Sequence, residues 1–141
     1  MNASIAANRD KVVLGVDDQF ENVLMLQALI ETQGFTFFGA GSGLECISIA
    51  QRISPRLILL DIQMPEMDGI ETCKRLRSIW QLKQTPIAFV TGRNASDDVR
   101  AGIAAGGNDF VVKPFDPRKL LARVEYWTSR RILPAREAPG A

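Results

Sequence analysis

The sequence contains no histidine at all. That excludes Ser-His-Asp and Cys-His nucleophile systems, histidine zinc sites and a histidine general base. It also means the chain cannot be its own phosphohistidine donor. Cysteine is nearly absent, with two in 141 residues. Cys46 and Cys73 sit in helix-like segments, form no CxxC pair, and read as buried, reduced thiols. Net charge is only +1, which argues against non-specific attachment to nucleic acid or anionic membrane. No apolar run approaches the roughly 20 residues of a membrane-spanning helix, and Met1 to Asp10 lack the apolar stretch of a signal peptide. The expectation is a cytoplasmic protein with no membrane and no direct nucleic-acid contact. Its chemistry must then rest on carboxylates, hydroxyls and lysine.

What is present is an alternation. Short apolar runs at Lys11–Val16, Phe35–Phe38, Leu57–Leu60, Ile87–Val90 and Phe110–Val112 read as strands. Between and after them lie segments of helical period: Phe20–Gln33, Leu44–Ile53, Asp68–Trp80, Ser96–Ala105, and a last helix capped by Asp116-Pro117 and running to Arg131. In this reading Val23, Leu26 and Ile30 share one face, Cys73, Leu76 and Trp80 a second, and Leu120, Val124 and Trp127 a third. Five strands alternating with five helices predict a parallel α/β domain over residues 11–131, helices on both faces. Residues 1–10 and 132–141 read as flexible ends.

In open parallel sheets, ligands bind where the strands end. The first strand delivers Asp17 and Asp18, the third Asp61, the fourth Thr91 and the fifth Lys113. Three clustered carboxylates repel one another unless a cation lies among them. Magnesium suits oxygen donors and is held by one or two carboxylates plus phosphate oxygens. Lysine balances remaining charge and pairs with phosphoryl oxygens, threonine adds a donor, and a carboxylate can itself accept phosphate. Each residue alone has a plainer reading. Asp17 or Asp18 could cap a helix, Thr91 could serve a turn before Gly92, Lys113 could be a solvated charge, and Asp68 could simply start a helix. Those readings do not jointly predict a polar group at the end of four different strands.

The stretches VVLGVDDQFEN, LILLDIQMPEMDG, PIAFVTG and NDFVVKPF, in this order, resemble the receiver domains of two-component response regulators. The resemblance runs from Lys11 to about Arg130 and is closest to single-domain, chemotaxis-regulator-like receivers. It implies a doubly wound, flavodoxin-like sheet of order 2-1-3-4-5. It implies Asp61 as phosphoacceptor, with Asp18, Asp61 and the backbone carbonyl of Gln63 holding Mg²⁺ and Asp17 acting through water. Lys113 would bridge Asp61 and the phosphoryl group, with a cis bond to Pro114. Thr91 and Phe110 would be the switch pair, Phe110 standing where tyrosine is frequent. Gln63 and Arg93 occupy positions that tune phosphoryl lifetime. The implied function is a phosphorylation-activated switch that catalyses its own phosphoryl acceptance and slow self-hydrolysis without being a turnover enzyme. The implied partners are a sensor histidine kinase or histidine phosphotransfer protein, and a downstream protein target on the face formed by the fourth helix, fifth strand and fifth helix.

Three rivals bear stating. A nucleotide-binding module is suggested by Gly39-Ala40-Gly41-Ser42-Gly43, although Leu44 stands where GxGxxG needs glycine. An aspartyl-phosphate phosphatase would need a second acid two residues after Asp61, where Gln63 stands. A phosphate-independent scaffold is the third, although every site residue is in place.

Overall fold

In a computed structural model, residues 11–129 are described. The expected flexible ends, and the last helix beyond Ser129, lie outside them. The elements are β1 (Val12–Val16), α1 (Phe20–Glu31), β2 (Thr36–Ala40), α2 (Gly43–Ile53), β3 (Leu57–Leu60), α3 (Gly69–Arg77), β4 (Ile87–Thr91), α4 (Ser96–Ala104), β5 (Asp109–Val112) and α5 (Pro117–Ser129). All strand pairs are parallel, and the sheet order is β2-β1-β3-β4-β5. This is the doubly wound, flavodoxin-like arrangement.

Strand alternation divides the core in two. Leu14, Ile58, Leu60, Ile87 and Phe89 point to one face, where they meet Cys46 and Ala50 of α2 and Cys73 and Leu76 of α3. Val13, Leu57, Leu59, Ala88 and Val90 point to the other, against Leu26 and Ile30 of α1 and Leu120 and Val124 of α5. Burying one such leucine or isoleucine contributes about 1.5–3 kcal/mol, so a sheet covered on both sides is the dominant source of stability. Both faces being covered also explains why β3 is an unbroken aliphatic run rather than an alternating one.

Two helix starts follow directly from sequence. The Ser42 hydroxyl caps α2 by accepting the Glu45 N–H at 3.1 Å, while the Glu45 carboxylate accepts the N–H of Gly41, the residue before the cap, at 2.7 Å. Asp68 caps α3 by accepting the Glu71 N–H at 2.9 Å. One expectation changes at the far end of α3, which stops at Arg77 rather than reaching Trp80. The Ser78 hydroxyl donates to the Arg75 carbonyl at 2.6 Å, competing with the helical ladder. The chain then enters a 3₁₀ turn, Trp80–Leu82. Leu82 is consequently buried, and Trp80, expected beside Cys73 and Leu76, is 42% exposed.

The Lys113–Pro114 bond is cis, as the family resemblance implied.

Candidate functional site

Parallel pairing sets the strand ends side by side. The Asp17 N–H donates to Ala40 O (3.1 Å), the Asp61 N–H to Val16 O (3.0 Å) and the Lys113 N–H to Thr91 O (2.9 Å), which carries the ladder one step beyond the strands. The backbone therefore places Asp17, Asp61 and Lys113 on one rim before any side chain contributes.

The side chains then converge. Lys113 Nζ donates to Asp17 Oδ2 at 2.5 Å and to Asp61 Oδ2 at 3.2 Å. Asp17 is 2% exposed and Asp61 7%, so both carboxylates are largely removed from water. Burial by itself disfavours the Lys113 charge, but the hydrogen bond to Asp17 and the charges of Asp61 and Asp17 outweigh it. The net effect is a pKa raised above the usual 10.5. Lys113 is thus a firmly protonated cation between two carboxylates.

Carboxylate oxygens of Asp17, Asp18 and Asp61 all lie within 4.8 Å of one another, with Asp18 the exposed member. This donor set fits a hard divalent cation: three anionic oxygens, one facing solvent where a metal's waters can remain. An adjoining cleft of about 640 Å³ is lined by residues that include Asp18, Asn22, Asp61, Gln63, Gly92 and Lys113. It is large enough for a phosphoryl group.

The remaining expected residues are distributed less uniformly. Gln63 stands beside Asp61, its backbone N–H directed at Asp61 Oδ1 at 3.3 Å. Thr91 is fully buried, and its hydroxyl accepts the Arg93 N–H at 3.2 Å. The turn role considered for Thr91 alone is therefore real. The Arg93 side chain pairs with Asp98 on α4 at 2.9 Å rather than with the carboxylate cluster. Phe110 lies against Phe89, ring centroids 5.1 Å apart. It also lines a separate groove with Pro114 and Lys119.

Two contributors carried no site role in the sequence reading. Asn22, four residues after Asp18 on the first turn of α1, donates its side-chain amide to Asp17 Oδ2 at 3.1 Å. No helical spacing signals this pair, because Asp17 lies five residues before Asn22 and ahead of α1. Gly69 permits α3 to start against the backbone of Asp61: its N–H donates to Ile62 O at 2.8 Å, and a Cβ there would fall 2.1 Å from Asp61 O. The glycines that suggested a nucleotide site also have packing duties. A Cβ on Gly39 would fall 2.5 Å from Val23 of α1, and one on Gly43 would fall 2.3 Å from Thr72 of α3.

Comparison with known proteins agrees with this geometry. Residues 13–125 match the response regulator receiver domain family. The alkaline phosphatase synthesis transcriptional regulatory protein PhoP of Bacillus subtilis is 38% identical over 116 residues, covering 82% of this chain and 48% of that protein. The DNA-binding response regulator MtrA of Mycolicibacterium paratuberculosis is 34% identical over 112 residues, covering 79% of this chain and 48% of that protein. Among solved structures, the chemotaxis protein CheY4 of Vibrio cholerae superposes with a TM-score of 0.79 at 32% identity, covering 82% of this chain and 96% of that one.

These relatives correct the expected partners. The chain spans about half the length of the curated relatives it matches, and MtrA is named as DNA-binding. The exclusion of nucleic acid therefore does not stand. A near-neutral charge over one half of such a protein cannot exclude nucleic acid as a partner of the whole. No helix among the described residues is long and apolar enough to cross a membrane. By family match, sheet order and carboxylate rim together, this chain belongs to the response regulator receiver domains, the phosphorylation switches of two-component systems.

Proposed function

We propose that Asp61 is the residue phosphorylated in this switch. The observation that carries the reading is Lys113 Nζ spanning Asp17 and Asp61, with Asp18 within reach of both carboxylates. An Asp61 oxygen forms the new P–O bond as the donor's P–N bond (phosphohistidine) or P–O bond (acetyl phosphate) breaks, and the leaving group takes the electron pair. Asp18 and Asp61, with the Gln63 carbonyl, would hold Mg²⁺, with Asp17 acting on it through water. Bound there, the ion supplies neutralisation of the charge on the phosphoryl oxygens.

Lys113 follows the charge, moving from carboxylate oxygens to phosphoryl oxygens as these arrive. The Thr91 hydroxyl releases the Arg93 N–H and turns to donate to the phosphoryl group. Phe110 repacks against Phe89 with that movement. Gln63 and Arg93 govern how long the aspartyl-phosphate survives water. The same residues accept the phosphoryl group and slowly lose it, with no turnover of a free substrate, and the switch operates in the cytoplasm. Similarity to half the length of a regulator named as DNA-binding supports an output on nucleic acid through sequence outside this chain.

Treatment with acetyl phosphate and Mg²⁺ tests the assignment. The expected result is a mass gain of one phosphoryl group that disappears in Asp61→Asn. Phosphorylation persisting in that variant would move the acceptor elsewhere.

A further inference from the structure

Asp17 Oδ2 receives two donors, the Lys113 ammonium at 2.5 Å and the Asn22 amide at 3.1 Å. The other oxygen, Oδ1, accepts the Gln19 N–H at 2.9 Å. With Asp17 only 2% exposed, water is a poor substitute for any of these. Lys113 is also the donor to Asp61, at 3.2 Å. One ammonium therefore serves two carboxylates, and a phosphoryl group on Asp61 brings oxygens carrying more negative charge than either. When Lys113 is drawn to them, Asp17 Oδ2 becomes a buried anionic oxygen whose remaining side-chain donor is Asn22.

We propose that Asn22 is a positioning residue for phosphorylation, holding Asp17 Oδ2 in place while Lys113 moves onto the phosphoryl oxygens. Its chemistry suits the task. A neutral amide satisfies the oxygen without cancelling the carboxylate charge, whereas lysine or arginine at position 22 would compete with both Lys113 and a metal ion. Its attachment suits it too. The Asn22 N–H donates to Gln19 O at 3.0 Å, so the first turn of α1 is tied on one side to Oδ1 through Gln19 and on the other to Oδ2 through Asn22. Asp17 is gripped at both oxygens by a short helical turn, and Lys113, on a long flexible stem, is the mobile donor.

The inference rests on Asp61 being the acceptor, and the experiment separates the two. The unaltered chain, Asn22→Ala, the near-isosteric but non-donating Asn22→Asp, and Asn22→Gln are each given acetyl phosphate across a Mg²⁺ titration. Phosphoryl gain is followed by mass and folding by Tm. Asn22→Ala is expected to lower the rate at saturating Mg²⁺ by about tenfold, the size of one lost hydrogen bond to a buried charge. Its half-saturating Mg²⁺ stays within about twofold, because no metal ligand is removed. Asn22→Asp is slow as well, and Asn22→Gln, which keeps the neutral amide, recovers most of the rate. A rate for Asn22→Ala or Asn22→Asp within about twofold of the unaltered chain overturns the inference. So does a loss of rate that Asn22→Gln fails to restore although it folds. If the unaltered chain takes up no phosphoryl group that Asp61→Asn abolishes, the acceptor assignment fails instead.

Discussion

Gly69 lies flush against Asp61: a Cβ added to the glycine would stand 2.1 Å from the aspartate's backbone oxygen and 2.8 Å from its carbonyl carbon. The contact is with backbone, which cannot rotate away as a flexible side chain could. Gly69→Ala must therefore separate the start of α3 from the end of β3. The expected cost is about 3 kcal/mol, read as a lowered urea midpoint. Mg²⁺ affinity should fall in the same variant, because Asp61 is displaced with its backbone.

Arg93 is tethered to Asp98 by a surface pair whose side chains are 49% and 17% exposed. Such pairs contribute about 0–1 kcal/mol, so an incoming phosphoryl charge can outcompete Asp98 for the guanidinium. Arg93→Ala should shorten the life of the aspartyl-phosphate, and Asp98→Asn, which weakens the tether, should lengthen it. Timed loss of the phosphoryl mass after removal of donor checks both. Equal lifetimes in all three proteins would show that Arg93 has no part in protecting the aspartyl-phosphate.

At the opposite rim, Arg77 donates to Gly106 O (2.8 and 3.0 Å), Leu82 O (2.8 Å), Thr85 O (2.7 Å) and Asn108 Oδ1 (2.9 Å). Asn108 Oδ1 in turn accepts the Ile87 N–H at 2.8 Å. One guanidinium thus ties the end of α3 to the segments that lead into β4 and β5. Arg77→Met leaves these carbonyls short of donors and should cost about 2–4 kcal/mol, with lysine a poor replacement because it lacks the planar fork. Phosphorylation rate per folded molecule should be unchanged, since every Arg77 contact precedes a strand and the site follows one.

The two thiols provide a pH test. Burial pushes Cys46 up to about 12, with Cys73 adding to the effect; burial pushes Cys73 up to about 11, opposed by Arg77. Both folded values exceed the ordinary 9.0, so the stability they contribute is complete below that pH. It is lost as pH rises through about 11 and then about 12. Urea midpoints should therefore decline above pH 9 less steeply in Cys46→Ala than in the unaltered chain, relative to their neutral values. At pH 8 neither thiol should react with a disulfide reagent until the protein unfolds.

The rim was legible because strand ends are local events: Asp17, Asp61, Thr91 and Lys113 each follow an apolar run, and parallel pairing does the rest. The cap by Asp68 was legible for the same reason, since its partner lies three residues away. The tether of Arg93 was not, because the β4–α4 loop decides whether its guanidinium turns to the site or to Asp98. Arg77 was hidden because its acceptors are backbone carbonyls, which any sequence possesses. Trp80 was misplaced because a serine hydroxyl ended its helix three residues early, a competition that hydrophobic period alone does not register.

The contact from Lys113 to Asp17 joins residues 96 positions apart. A ribosome emitting this chain therefore delivers both aspartates of the first strand end, and then Asp61, well before the lysine that unites them. No fragment ending ahead of β5 possesses the assembled site. A nascent chain therefore gains the Lys113 contacts to Asp17 and Asp61 only once synthesis has passed β5.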